Sequence, residues 1–297
     1  MLFSIVTISF NQARWLGEAI DSVLAQAGPG VEIDYIVCDP GSKDDSRTII
    51  DSYGPRIAHR VYEKDDGPAD GLNRGFARAS GEVFCYLNSD DVFLPGAFAR
   101  VAAAFARHPE VDVFTGHGFA IDAESRVLRR IWSESHGRLR AGYSSHRQIQ
   151  PSTFIRAEAF RKCGGFDPAD RIMWDGDLLN SLYLSGARIR LLDAWLSGYR
   201  LHDESITSSG RGEEARDKAE DWQFERLIGR KPGKADRALR KALELSKHVS
   251  HPLRSFERIA YGPLYRRGQW QPSPLTPLAR TLVGAPDVQG TGLKPLA

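Results

Sequence analysis

Apolar residues in the first third of the chain recur with two different periods. Phe3–Ser9 is rich in Ile, Val and Thr, the pattern of a buried strand. In Arg14–Gln26 the apolar residues Leu16, Ala19, Ile20, Val23 and Leu24 fall on one helical face. Tyr35–Cys38 predicts a second strand, closed by Asp39-Pro40-Gly41, and Ser42–Asp45 offers side chains to cap a helix running to about Tyr53. Ala58–Tyr62 predicts a third strand, Pro68–Ala79 a helix and Val83–Leu87 a fourth strand. Repeated strand–helix units imply an α/β fold: a mostly parallel sheet with helices on both faces. Such sheets bind ligands at the carboxyl ends of their strands. That rule directs attention to Ser9–Asn11, Cys38–Gly41, Glu63–Asp66 and Asn88–Asp91.

The second half is mixed. Pro95–Arg107, Ala157–Cys163 and Trp174–Ser185 read as helices. Val111–Gly116, Val127–Trp132, Pro151–Ile155, Ile189–Leu192 and Trp195–Leu201 read as strands, and polar Ser133–Arg147 as a mobile loop. Beyond Ser209 the pattern becomes charged helix, clearest over Glu213–Ile228 and Ala235–Lys247, and from Gln271 it is rich in Pro and Gly. The expected organisation is a catalytic domain over 1–210, a basic helical extension over 211–270 and a disordered tail over 271–297.

Composition narrows the options. Three scattered cysteines, Cys38, Cys85 and Cys163, supply neither a disulfide framework nor zinc-ligand spacing. The N-terminal apolar run is stopped by Asn11 and Gln12, too early for a membrane span or a signal peptide. The expected location is therefore cytoplasmic, either free or peripheral on a membrane face. A net charge of +2 conceals an asymmetry: residues 211–297 carry 17 Lys and Arg against 10 Asp and Glu, so +7, and the rest of the chain is −5. That basic end suits either an anionic membrane surface or plain solvation. Nucleic acid is not an expected partner. The turn after the first strand, Ser9-Phe10-Asn11-Gln12, lacks both the GxGxxG of a Rossmann oxidoreductase and a glycine-rich basic phosphate loop.

Several polar clusters could carry chemistry. Asp39 either accepts a base imide N–H or merely forms an Asx turn. Asp90 and Asp91 repel one another at a strand end, and a divalent cation would relieve that repulsion. They also suit a solvated turn ahead of a helix. Asp175 and Asp177 open a helix at i and i+2, so one can face a cleft as a general base while the other caps. His202 stands at a strand end, where it either meets a metal or diphosphate or is an ordinary surface histidine. The acidic turn Glu63–Asp70 precedes a helix bearing Asn73 and Arg74, whose guanidinium could reach a phosphate.

The order of these clusters resembles glycosyltransferase family 2, with its GT-A fold. The matching segments are Ile5–Asn11, Asp39–Asp44, Ala69–Gly75, Ala79–Val83, Leu87–Asp91, Gly164–Asp167, Trp174–Leu178 and Tyr199–His202. The resemblance implies an inverting transferase that moves a sugar from a nucleotide diphosphate donor, UDP by default, to a hydroxyl of a glycan or lipid-linked acceptor, with Mn²⁺ or Mg²⁺ as cofactor. It implies that Thr7, Ser9 and Asn11 line the nucleotide pocket, that Asp39 holds the base, and that Asp70 and Arg74 lie near the ribose or diphosphate. Asp90 would lie nearer the ribose, Asp91 and His202 at the metal, and Asp175 would be the base. Many members carry Glu before that base. Trp174 stands there in this chain, which leaves Asp177 as a rival to Asp175. A non-catalytic nucleotide-sugar-binding module, or another nucleotide-diphosphate transferase, is the alternative.

Overall fold

The computed structural model describes residues 1–144, 146–170, 173–202, 213–250, 265–266 and 269–270. Strands β1 (Leu2–Ile8), β2 (Glu32–Cys38), β3 (His59–Val61) and β4 (Val83–Asn88) form where the apolar runs place them. Helices α1 (Ala13–Leu24), α2 (Ser46–Ser52) and α3 (Pro68–Phe76) connect them in turn. Each helix returns the chain to the same edge, so the four strands pair in parallel. Next come β5 (Val92–Phe93), α4 (Ala97–Arg107), β6 (Val113–Ile121), β7 (Val127–Ile131) and α5 (Arg138–Gly142). The sheet-forming part of the chain closes with β8 (Thr153–Arg156), α6 (Ala157–Cys163), α7 (Trp174–Leu184) and β9 (Ile189–Arg200).

One sheet runs in the order β3-β2-β1-β4-β8-β6-β9-β5, with β7 paired to β6. Strand β8 is antiparallel to both β4 and β6, and β9 is parallel to β6. The two reversals cancel, so β9 runs in the same direction as β1 and β4. Its end therefore emerges at the edge where β1, β2 and β4 end, and this topology brings His202 to Asp90.

Alternation along β1 builds two core layers. Phe3 and Ile5 pack with Leu16 and Ile20 of α1, Ile50 of α2 and Phe98 of α4. Val6 faces the other layer, with Leu72 and Phe76 of α3, Phe160 of α6 and Leu178 of α7. Both layers are predominantly apolar, as a parallel sheet covered on both faces requires.

Three expectations change. Strand β6 continues past Gly116 to Ile121, because Gly118 lets the backbone of β9 approach closely: a Cβ there would sit 2.7 Å from the Ser197 carbonyl. The two expected late strands are one, β9, whose pairing with β6 shifts register around His117 and so passes Asp193–Ala194 without breaking. Ser133–Arg147 is packed rather than a free loop. The Ser133 hydroxyl donates to the Gly116 carbonyl at 2.6 Å and the Glu134 N–H to the Arg147 carbonyl at 2.8 Å.

The extension supplies α8 (Glu213–Ile228) and α9 (Lys234–Ser250). Helix α8 lies against α5, where Gly142 abuts Ile228 and Arg138 Nε donates to the Leu227 carbonyl at 2.6 Å. It also meets α7, where Arg226 pairs with Asp177. The Tyr143 hydroxyl donates to Asp236 Oδ1 at 2.7 Å, so α9 is tied down at its start. The expected disordered tail, 271–297, lies outside the described residues.

Candidate active site

The loops after β1 and β2 are laced together. Asn11 takes a left-handed φ of 53°, which Asn tolerates, and its Oδ1 accepts the Lys43 N–H at 2.8 Å. Ser42 Oγ accepts the Asn11 N–H in return at 2.8 Å. Asp44 accepts from both Ala13 and Ser46, at 2.9 and 3.1 Å, and so serves the first turns of α1 and α2 together. Asp39 is fully buried, and its Oδ1 accepts from Gly41 N, Ser42 N and Arg47 Nε at 3.0, 2.8 and 3.1 Å. Gly41 makes that turn at φ 136°, where a side chain would be strained. One oxygen of Asp39 thus forms the Asx turn. The other, Oδ2, is buried with no hydrogen-bond partner.

Ser9 Oγ and Asp91 Oδ2 are in the same state. Buried polar atoms are ordinarily paired, so three orphans at the carboxyl ends of β1, β2 and β4 make that edge a candidate ligand site. Thr7 does not belong to it. Its side chain is buried in the α1-covered layer, where Oγ1 accepts the Tyr35 hydroxyl at 3.0 Å, because odd positions of β1 point away from the α3 side. The expectation that Thr7 lines the pocket is corrected accordingly.

Asp90 and Asp91 diverge. Asp91 Oδ1 accepts the Arg200 N–H at 2.8 Å, and the side chain is buried. Burial, then the neighbouring Asp90 charge, pushes its carboxyl well above the usual range against the pull of the Arg200 N–H and guanidinium. Asp90 Oδ2 instead meets His202 Nε2 at 2.9 Å, and the Trp15 ring lies 4.2 Å from the imidazole, centre to centre. The residue facing His202 is therefore Asp90, whereas the resemblance had put Asp91 there. Arg200 holds this corner. Its buried guanidinium donates to the Asp90 carbonyl at 2.6 Å, the Asp122 carbonyl at 2.9 Å and Glu18 Oε2 at 2.8 Å.

Asp70 Oδ2 accepts from the Asp66 N–H and from Arg74 Nε, at 3.1 and 2.9 Å, and Arg74 also reaches Glu63 at 3.5 Å. Asp175 is half-buried at the start of α7, where its Oδ1 accepts the Gly176 N–H at 2.8 Å. The Trp174 ring stands 5.7 Å from that of Tyr86 on β4, whose hydroxyl is pushed up first by burial and then by the Asp175 charge. Asp177 is buried beneath Arg226, whose second nitrogen donates to Ser181 Oγ at 2.9 Å.

Two residues, Arg47 and Arg200, escaped sequence reasoning, and Asp65, inside the acidic turn already noted, was not singled out within it. Arg47 lies in the first turn of α2, eight residues beyond Asp39, and grips both its Oδ1 and its carbonyl, the latter at 3.0 Å. Asp65 is partly buried, with its carboxyl pushed up by burial, and it accepts the Gly67 N–H at 3.1 Å. Arg200 sits inside an already noted motif, but nothing in its spacing marks it as buried.

Can this corner hold a divalent cation? Asp90 and His202 offer a carboxylate and an imidazole at hydrogen-bond distance, and Asp91 Oδ2 adds a buried, unpartnered oxygen nearby in sequence. Among the described residues no cluster of three or more ligating side chains is preformed. A cation bound through one or two carboxylates plus substrate phosphate oxygens does not need one. The donor set fits.

The sequence profile of glycosyl transferase family 2 matches residues 4–164, and the chain belongs to that family. An uncharacterized glycosyltransferase of Nostoc sp. is 27% identical over 98% of this chain and 91% of its own length. Another from Rickettsia typhi is 30% identical over 70% of this chain and 66% of its own. Among solved structures, Staphylococcus aureus TarS residues 1–349, in complex with UDP-GlcNAc, superposes with a TM-score of 0.60 at 20% identity, covering 84% of this chain and 73% of that one. The mannosyltransferase PcManGT of Pyrobaculum calidifontis, in complex with GDP-Man and Mn²⁺, gives 0.53 at 15% identity, covering 86% and 82%. The fold is of the GT-A type. Among the described residues no helix is long and apolar enough to cross a membrane.

Proposed function

We propose that this glycosyltransferase is an inverting, cation-dependent enzyme that takes its sugar from a nucleotide diphosphate donor, UDP-linked by default, and delivers it to a glycan or lipid-linked hydroxyl. The carrying observation is the set of orphaned polar atoms on Ser9, Asp39 and Asp91 at one sheet edge. The UDP-GlcNAc of the TarS complex and the GDP-Man and Mn²⁺ of the PcManGT complex support a nucleotide-sugar and a metal.

In this reading Asp39 Oδ2 accepts the base N–H, with Arg47 and the Gly41 turn holding the carboxylate in place. Ser9, Asn11, Asp70 and Arg74 border the ribose and diphosphate. Asp90 and His202, with the unpartnered Oδ2 of Asp91, would hold Mn²⁺ or Mg²⁺, which supplies positive charge for the leaving diphosphate. Asp175 takes the proton of the acceptor hydroxyl as its oxygen forms a bond to the sugar C1. The C1–O bond to phosphate breaks, and its electron pair leaves with the nucleoside diphosphate. Attack from the face opposite the leaving group inverts C1. Asp177 is unsuited to the same task, since Arg226 already occupies it. The basic stretch over 211–297 suits a cytoplasmic enzyme working at an anionic membrane face. Thermal-shift titration with UDP, GDP and their sugars, with and without Mn²⁺, tests the reading: a cation-dependent rise in Tm supports it, and no rise with any nucleotide opposes it.

A further inference from the structure

We propose that α8 forms the wall of an acceptor subsite for a sugar ring, with Gln223 and Trp222 as its contacts. The inference rests on the reading of Asp175 as the base.

Gln223 is 3% exposed, yet its Nε2 has no hydrogen-bond partner. That nitrogen lies 3.8 Å from the point a Cβ on Gly176 would occupy, and Gly176 directly follows Asp175. A buried amide donor without a partner is costly, and here it stands against Gly176, the residue after the proposed proton acceptor. An acceptor hydroxyl oxygen meets both needs: it takes the amide N–H as an acceptor and gives its own proton to Asp175.

Trp222, next in the helix, is 46% exposed although it is large and apolar. The Arg226 guanidinium lies 5.1 Å from its ring, and Arg226 pairs in turn with Asp177 of α7. The indole is thereby fixed close to the start of α7 with much of its surface open. A pyranose has hydroxyls on its rim and a face of C–H bonds. A buried amide and an open indole on consecutive residues match those two features. Helix α8 is held firmly enough to define such a wall, through Arg138 to Leu227 and the Gly142–Ile228 contact.

The test uses the full chain with Mn²⁺ and a donor panel of UDP-GlcNAc, UDP-glucose, UDP-galactose and GDP-mannose. One acceptor arm holds malto-, cello-, chito- and manno-oligosaccharides; the other holds Ser- and Thr-containing peptides. The expected result is transfer to an oligosaccharide. Trp222→Ala and Gln223→Glu should each raise the acceptor KM about tenfold or more while UDP affinity by calorimetry holds. Trp222→Phe keeps an aromatic face and should retain most activity, which separates ring contact from a folding defect. Wild-type KM in both variants, or transfer by the wild type to peptides alone or to neither arm, overturns the proposal. Failure of the base reading shows separately, as undiminished transfer by Asp175→Asn.

Discussion

Asp90 Oδ2 and His202 Nε2 meet at 2.9 Å across 112 residues of sequence, while Asp91, next to Asp90, turns inward to the Arg200 N–H. Asp90 is thus presented at the sheet edge with His202, while Asp91 gives one oxygen to the frame and keeps the other unpartnered. Asp90→Asn should abolish Mn²⁺-dependent stabilisation by UDP and leave the ligand-free Tm nearly unchanged. Asp91→Ala leaves a buried N–H without its acceptor and should cost about 1–3 kcal/mol of stability with or without metal. Thermal unfolding of both variants decides it; the reverse pattern would return the metal to Asp91.

Asp39 divides its two oxygens between the turn and the proposed base. Asn can keep the Oδ1 contacts to Gly41 and Ser42 but puts an amide donor where Oδ2 stood. Asp39→Asn should weaken UDP binding by about 1.5–3 kcal/mol, the range for a hydrogen bond to a charged group. Calorimetric affinity equal to the wild type would remove Asp39 from base recognition.

His136 gives a pH dependence of stability. Burial, with the His146 charge second, pulls its imidazole down to about 3 from the ordinary 6.5. Between those values the unfolded chain binds the proton and the folded chain does not. Stability present above 6.5 is therefore lost as pH falls through that window. His136→Gln, uncharged throughout, should show a smaller drop in Tm between neutral and acidic buffer; a drop equal to the wild type would contradict this.

Much of the fold was legible because both periods in the first half are strong and each helix is compelled to return the chain. What failed was local. Register slips are invisible to a hydrophobic pattern, so β9 read as two strands and β6 as too short. Segments quoted for the family resemblance also have unequal meanings. In Ala79–Val83, Ser80 and Gly81 close a buried network with Ser4 and Asp34, and the Glu82 carboxylate accepts the Leu2 N–H, so these contacts sit at the start of β1, away from the site. Asn73 clasps both the N–H and the carbonyl of Phe166, at 3.0 and 2.8 Å, and joins α3 to the turn after α6. The division of labour between Asp90 and Asp91, and between Asp175 and Asp177, depends on which side chain a distant arginine occupies. Arg200 and Arg226 lie 109 and 49 residues away, beyond the reach of local spacing.

Transfer by Asp175→Asn, measured beside its affinity for UDP, tests the central claim most directly. Asn preserves the shape and an acceptor oxygen but takes no proton at neutral pH. The account predicts a fall in transfer rate of about 10²-fold or more with UDP affinity and Tm unchanged. Asp177→Asn, by contrast, should lower Tm by weakening the pair with Arg226. Undiminished transfer by Asp175→Asn would contradict the mechanism.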